Sequence, residues 1–524
     1  MKPLASLMWV DDEIDLLSAH LTFLRSKGYE VEAVSSGYDA IDILSKRPVD
    51  LVFLDENMPG MGGLATLAEI KKLYPNLPVI MITKSEAETL MEEAIGKQIS
   101  DFLIKPVNPS QILLSLKKIL DNTRIKTEVT SRDYLQNIRK LSMDIEDAKT
   151  ADDWLRVFQE LTRWELSIAD LKDESLGTML SDQKNDANIR FIRFIEDNYK
   201  TWVGQKPGER PMLSVDILDK IVLPSVKTGT PTFYIVIDCL RSDQWIQFEQ
   251  RLAEWFNFET KYYYSILPTA TPFSRNSLFS GLYPSEIENK YPDLWSYSVD
   301  NEESLNAHES ELMKEFFKRK GHVFNQDPRY FKINTANESK VLESSIGNLI
   351  KNDLTAIVIN FVDMVSHARS DMAILKELAP DETAYRSLSN SWFENSFLRE
   401  LLITLSKHQV SVIITSDHGC IRCFRGARVN ADKETSTNLR YKYGRNLNVD
   451  TKDAVIIRNP NDYRLPKLSG NTNYIIAKND VFFLYPNNYN YFQNQFRDTF
   501  QHGGISMEEM LVPVSVLTPK NPVR

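Results

Sequence analysis

Cysteine is scarce, three in 524 residues. So few exclude a disulfide framework and fit a reducing compartment. Histidine is nearly as scarce, seven in all, so any imidazole-based site draws on very few residues. No run approaches the roughly 18 consecutive apolar residues that span a bilayer. The opening MKPLASLMWVDDE meets carboxylates too early for a secretory apolar segment. No membrane insertion and a cytoplasmic location are expected. Positive charge is in deficit: 62 Lys+Arg against 72 Asp+Glu leave a net charge of −10, which argues against non-specific coating of nucleic acid. Fixed-period repeats and low-complexity tracts are lacking too. What remains is ordinary globular composition, 42% hydrophobic and 26% charged. That excludes a wholly disordered chain, and the length suggests about three domains.

Residues 1–121 alternate short apolar runs with helical periodicity. Strands are expected at Ala5–Val10, Val31–Val34, Asp50–Leu54, Val79–Thr83 and Phe102–Ile104. Alternating βα units imply a parallel sheet covered on both faces, with functional residues at the carboxyl ends of its strands. Residues 122–211 lose this alternation and read at period 3.6, a helical bundle in which Trp154, Trp164 and Trp202 are core anchors. The Gly/Pro punctuation GQKPGERP closes that segment. Residues 212–524 return to α/β alternation, with strands expected at Phe233–Ile237, Phe258–Tyr264, Thr355–Phe361 and Ser411–Thr415. Residues 285–350 and 424–480 show few buried-strand signals and read as insertions or lids.

In the first domain, Asp11 and Asp12 follow the first strand, Asp55 the third, Thr83 ends the fourth and Lys105 follows the fifth. A doubly wound sheet brings all five to one edge. Three carboxylates together repel unless a cation sits among them, and oxygen ligands with spare water positions suit Mg²⁺. A carboxylate beside Mg²⁺ can attack a phosphoryl group, with Thr83 and Lys105 pairing with its oxygens. The pattern VDDE, LDENMPGMGG, ITK and KPV resembles the receiver domain of two-component response regulators. The resemblance implies that Asp55 accepts phosphate from a sensor histidine kinase. It also implies that Asp11, Asp12 and Asp55 hold Mg²⁺ with the backbone carbonyl of Asn57, and that Thr83, Phe102 and Lys105 form the switch. Its usual output is a rearranged face used for dimerisation. No basic recognition helix follows, so sequence-specific DNA binding is not expected.

The C-terminal domain carries a second constellation: Asp238 after FYIVI, Asp363 and His367 in FVDMVSH, Asp417 and His418 in TSDHG, and His502 in QHGG. The acidic residues again fall at strand carboxyl ends. Asp and His without Cys suit Zn²⁺ first and Mn²⁺ second, and six such ligands suffice for two cations that clamp a phosphorus centre. Thr271, held away from helix by Pro272, is the candidate nucleophile, because a hydroxyl beside such cations gives up its proton near neutral pH.

These motifs resemble the alkaline phosphatase superfamily and, within it, PglZ-type domains. By that resemblance Asp363, His367 and His502 match one zinc site. Asp238, Asp417 and His418 match the other, with Thr271 bridging as nucleophile and zinc ligand. Arg275 or Asn276 stands where some members place a phosphoryl-contacting Asn. The whole order resembles the PorX-type regulators tied to type IX protein secretion. It implies an α/β multidomain chain: a flavodoxin-like receiver, a helical bundle linker and an alkaline-phosphatase-like α/β domain. Residues 425–445 add Arg425, Arg428, Lys433, Arg440, Lys442 and Arg445 with Tyr441 and Tyr443 interleaved. A mobile loop of that kind suits anionic oligonucleotides, and a solvated loop balancing local carboxylates is the equally open alternative. Cys420, Cys423 and Cys239 read as small buried fillers. The expected function is a response regulator whose output is a di-zinc phosphoesterase, with a phosphodiesterase acting on nucleotides or oligonucleotides favoured, and which dimerises on phosphorylation. The alternative is a non-enzymatic regulator whose metal-bound domain docks a sigma factor or secretion component.

Overall fold

The computed structural model describes residues 3–75, 77–84, 99–169, 171, 173–295, 306–365, 379–431, 438–467 and 469–522. The side chains of 121–128 and 336 fall outside that description. The expected zinc ligand His367 and the basic residue Lys433 lie outside the described residues. The chain divides into two units, residues 1–133 and 134–524.

The first unit holds strands β1 (Ser6–Val10), β2 (Glu30–Val34), β3 (Leu51–Asp55), β4 (Val79–Thr83) and β5 (Asp101–Ile104) in one parallel sheet of order β2-β1-β3-β4-β5. β3 and β4 are buried at every position, the pattern of strands covered on both faces. Successive side chains of β1 part to opposite cores. Met8 and Val10 join Leu44, Leu67 and Ile70, while Leu7 and Trp9 join Leu24, Ile112 and Leu116. Helix starts are chemically marked. Ser36 accepts the Asp39 amide ahead of Gly37–Lys46, and Asn108 and Gln111 form a capping box ahead of Pro109–Leu116. The order reverses beside β1, so the carboxyl ends of β1 and β3 open onto one crevice.

The second unit begins within the helix Asn122–Asp147 and continues with Ala151–Ala169 and Glu174–Trp202. Trp154, Trp164 and Trp202 are buried, as the periodicity predicts. They do not close a core of their own. Trp154, Phe191 and Trp202 pack in one cluster with Tyr264 and Leu511, so the helical layer shares apolar contacts with the sheet that follows.

That sheet has six strands: β6 (Thr232–Ile237), β7 (Phe256–Tyr264), β8 (Arg329–Ile333), β9 (Leu354–Ile359), β10 (Ser411–Thr415) and β18 (Leu511–Pro519), in the order β7-β18-β10-β6-β9-β8. β10, β6, β9 and β8 run parallel, and β18 and β7 complete the edge antiparallel. β6 and β9 are wholly buried. Two expectations are corrected. Residues 285–350 are not an insertion: they supply the amphipathic helix Glu309–Arg319, which buries Leu312, Met313, Phe316 and Phe317 along one side, and the edge strand β8. β8 escapes a buried-strand pattern because its residues are mostly half-exposed. Residues 424–480 likewise hold β12 (Arg425–Arg428), β13 (Tyr441–Gly444), β14 (Ala454–Ile457) and β15 (Asn473–Ala477) in small accessory sheets, too short to register as periodic.

Candidate functional site

At the crevice of the first unit, Asp11 and Asp55 are buried and Asp12 is exposed, and ligand atoms of all three lie within 4.8 Å of one another. Lys105 Nζ donates to Asp11 Oδ2 at 2.9 Å and to Asp55 Oδ1 at 2.5 Å. The Asn57 amide donates to Asp55 Oδ2 at 3.0 Å. Burial raises the Asp55 carboxyl above its ordinary value, with Asp11 adding repulsion and Lys105 opposing both. Thr83 ends β4, with its hydroxyl bonded to the Glu56 carboxylate. Phe102 is 36% exposed on β5. Three carboxylates against one lysine leave uncompensated negative charge that a hard divalent cation would balance.

In the second unit the sheet's carboxyl edge gathers the other set. Asp238 follows β6 and Asp417 follows β10, the adjacent parallel strand, so their side chains converge. Ligand atoms of Asp238, Asp417 and His418 lie within 4.8 Å of one another, all three residues buried. His418 Nε2 stands 3.7 Å from Asp238 Oδ1 and 3.6 Å from Asp417 Oδ2. The His418 and His502 rings stack at 4.3 Å between centroids, and His502 Nε2 is 3.4 Å from Asp363 Oδ1. Five of the six expected zinc ligands therefore meet at one place, and the sixth, His367, is outside the described residues.

Thr271 is not held out of the helix as Pro272 suggested: it is the first residue of the helix Thr271–Ser280, where a proline in the first turn is tolerated, with Ala270 extended before it and Gly281 in the left-handed region closing it. Its Oγ1 lies 3.2 Å from His418 Nε2 and 3.4 Å from Asp238 Oδ1, and the residue is half-buried. Burial, with repulsion from Asp417, lifts the Asp238 carboxyl to about 7. Burial also raises Asp417 and lowers His418 to about 3, which keeps its imidazole neutral. Asp417 Oδ1 accepts the backbone amides of Cys239 and His418, whereas its buried Oδ2 has no hydrogen-bond partner among the described residues. A neutral imidazole beside a buried carboxylate oxygen without a donor is a donor set that fits a borderline divalent cation.

Arg275 and Asn276 are placed differently from the expectation. Arg275 is 2% exposed. Its Nη1 donates to Asp238 Oδ2 at 2.7 Å and to Asn360 Oδ1 at 3.0 Å, and its Nε to Glu309. Asn276 Nδ2 turns back to the Pro272 carbonyl at 2.8 Å. Both are committed to protein groups rather than presented to a ligand, because the helix face that carries them packs inward. The basic segment is also corrected. Arg440 is buried against Glu509 at 2.6 Å, and Lys442 is buried, donating to the Asn438 carbonyl at 2.9 Å. Tyr441 and Tyr443 pack edge-on to Phe273. They support the helix that carries Thr271 instead of offering faces to bases. Arg425 pairs with Asp480 at 2.6 Å, and Arg428 lies over the Tyr489 ring. All three cysteines are buried and free. A further acidic group, Glu165, Asp243 and Glu382, is met by Lys184, Arg241 and Arg386 and is an ion-pair network.

Profiles of known families match the chain in three successive stretches. Residues 7–117 match the response regulator receiver domain. Residues 124–203 match the PorX response regulator linker domain, and residues 217–517 match the BREX system PglZ alkaline phosphatase-like domain. The transcriptional regulatory protein ZraR of Escherichia coli O157:H7 is 37% identical over 116 residues, 22% of this chain and 26% of that protein. The putative response regulator NtrX-like of Rickettsia bellii is 32% identical over 127 residues, 24% of this chain and 27% of that protein. The chain thus spans about a quarter of the length of these curated relatives. Among solved structures, the chemotaxis protein CheY4 of Vibrio cholerae is 29% identical, covering 22% of this chain and 98% of that one with a TM-score of 0.22. No helix among the described residues is long and apolar enough to cross a membrane.

Proposed function

The chain belongs to the PglZ alkaline phosphatase-like family and is assembled as a PorX-type response regulator of receiver, linker and PglZ domain, and from that premise we propose that its output is a zinc-dependent phosphodiesterase with Thr271 as nucleophile. A receiver domain implies a sensor kinase that phosphorylates it, and Asp55 is the acceptor we assign. Asp11, Asp12 and Asp55 would hold Mg²⁺ with the Asn57 carbonyl, and Thr83, Phe102 and Lys105 would read the phosphoryl group.

The observation that carries the hydrolytic reading is the half-buried Thr271 hydroxyl standing within 3.4 Å of both His418 and Asp238, beside the buried Asp417 Oδ2, which the geometry leaves without a hydrogen-bond partner among the described residues. Asp238, Asp417 and His418 would hold one Zn²⁺, and Asp363, His367 and His502 the second, with Mn²⁺ the next best fit. Such cations, when bound, offset charge on the phosphoryl oxygens and favour the deprotonated hydroxyl. The chain itself supplies a fixed nucleophile. The helix start points Thr271 Oγ1 at the cluster, and attack forms the Oγ–phosphorus bond as the bond to the leaving alcohol breaks. Water then releases the phosphoryl group from Thr271. Neutral His418 is ready to act as a ligand without losing a proton first.

The substrate class rests on less. With Arg440 and Lys442 buried, the accessory strands present no polycationic tract among the described residues. Diesters, which carry one negative charge, need less of one than monoesters do. We assign small nucleotides with a single diester to cleave as the class, and, on the PorX-type order of domains, control of type IX secretion as the biological setting. The test is turnover of a chromogenic phosphodiester by the zinc-loaded full chain. Thr271→Ala is expected to lower kcat by roughly three orders of magnitude or more while zinc content stays at the wild-type level. Undiminished turnover removes Thr271 as nucleophile. No turnover of any phosphoester by the wild type favours a metal-stabilised docking surface for a protein partner.

A further inference from the structure

Glu309 is 1% exposed and opens the helix Glu309–Arg319, in a stretch whose sequence gives no hint of a site. Its carboxylate gathers three donors: Arg275 Nε, Asn306 Nδ2 at 3.3 Å and the Tyr330 hydroxyl of β8. Two of those donors reach onward. Arg275 Nη1 bonds Asp238 Oδ2 at 2.7 Å. Asn306 Nδ2 also bonds the backbone carbonyl of Thr271 at 3.0 Å. We propose that Glu309 is a positioning residue of the hydrolytic site: through Arg275 it sets the Asp238 carboxylate, and through Asn306 it sets the backbone of Thr271.

The arrangement is costly for a purely structural role. A buried ion pair is commonly replaced by apolar residues without loss of stability, whereas removing one partner strands the other charge. Here the stranded charge would be Arg275. With Glu309 neutralised, Asp238 becomes its principal anion and is drawn toward the guanidinium, away from the face it shares with Asp417 and His418. Tyr330 and Asn360 brace the group from β8 and the end of β9, so it is tied to the rigid sheet rather than to a loop alone. Positions that orient a ligand side chain in this way typically carry roughly 10–100-fold of metal affinity or activity.

The inference rests on the di-cation reading and is tested separately from it. Full-length protein is stripped with a chelator, and zinc affinity is measured by competition with a chromogenic chelator, alongside kcat and KM on a chromogenic phosphodiester. Glu309→Gln is expected to weaken zinc roughly 10–100-fold and lower kcat, with KM little changed. Adding Arg275→Met to Glu309→Gln is expected to restore part of the zinc affinity, because the unpaired cation is gone. A structural role would shift only the thermal midpoint and give no such rescue. Asn306→Ala, which leaves the Arg275–Glu309 pair in place, is expected to lower kcat about 10-fold with wild-type zinc affinity. Wild-type zinc affinity and kcat in Glu309→Gln overturn the inference. Should that variant not fold, unchanged kcat in Asn306→Ala overturns it instead. A wild type that binds no zinc overturns the underlying reading and the inference with it.

Discussion

Burial lifts the Asp238 carboxyl to about 7, with Asp417 and Asp363 adding repulsion that the Arg275 guanidinium only partly offsets. The sign of its effect on stability follows. In the unfolded chain the same group titrates near its ordinary value of 3.8. The metal-free fold therefore holds this proton more tightly, and deprotonating it as pH rises from about 4 to about 7 costs stability. A divalent cation competes for the same carboxylate and removes that cost. The gap in thermal midpoint between zinc-loaded and chelated protein is therefore expected to widen as pH rises from 5 to 7.5, read by differential scanning fluorimetry. A gap independent of pH over that interval contradicts the assignment of Asp238 as a ligand. That Asp238, Asp363 and Asp417 come together was legible in the sequence, since an acidic residue just past a buried apolar run falls at a sheet's carboxyl edge, whereas His418 and His502 were reached through the motifs TSDHG and QHGG and the resemblance those motifs carry. Glu309, Asn306 and the true partners of Arg275 were not legible. Their roles arise from contacts across helix, loop and edge strand that no local spacing encodes.

The helix Glu174–Trp202 is the element that ties the linker to the site. The Tyr199 hydroxyl accepts the Leu267 amide at 2.8 Å, four residues before Thr271. Asn188 accepts the Met507 amide at 2.8 Å and donates to Glu508 at 2.9 Å, on the segment after His502. Lys184 pairs with Glu165 and Glu382, which also meet Arg241 just past Asp238. A shift of this helix thus bears on three site loops at once, which gives the linker a physical route to the output domain. Its own seat is apolar. Phe191 is wholly buried, with its ring 5.6 Å from that of Trp154 and 6.3 Å from that of Tyr264. Phe191→Ala is expected to destabilise this unit by about 3–5 kcal/mol, measured by urea unfolding followed through tryptophan fluorescence. A loss under 1 kcal/mol would mean that the helix does not share the sheet's core. Helix period and tryptophan spacing foretold the helices. They could not foretell that the core is common to both layers, because amphipathicity marks the buried face and not its partner. The strands β12 to β15 went unread for a related reason: four- and five-residue strands in accessory sheets carry too few alternations to stand out.

At the scale of the whole molecule, a receiver domain and an alkaline phosphatase-like domain stand in one chain, and the proposed hydrolysis would be switched by phosphorylation. Beryllofluoride with Mg²⁺, which mimics the phosphoryl group on Asp55, is expected to raise both the solution mass toward a dimer and the phosphodiester turnover. Equal mass and equal turnover with and without it contradict the coupling. The claim beneath everything else is that Asp238, Asp363, Asp417, His418 and His502 gather around a pair of divalent cations beside Thr271. Anomalous diffraction at the zinc edge from crystals of the zinc-loaded full chain tests it most directly. Two peaks on the order of 3.5–4 Å apart are expected, one against Asp238, Asp417 and His418 and the other against Asp363 and His502. No peak at those side chains, or zinc bound only elsewhere on the protein, would contradict it.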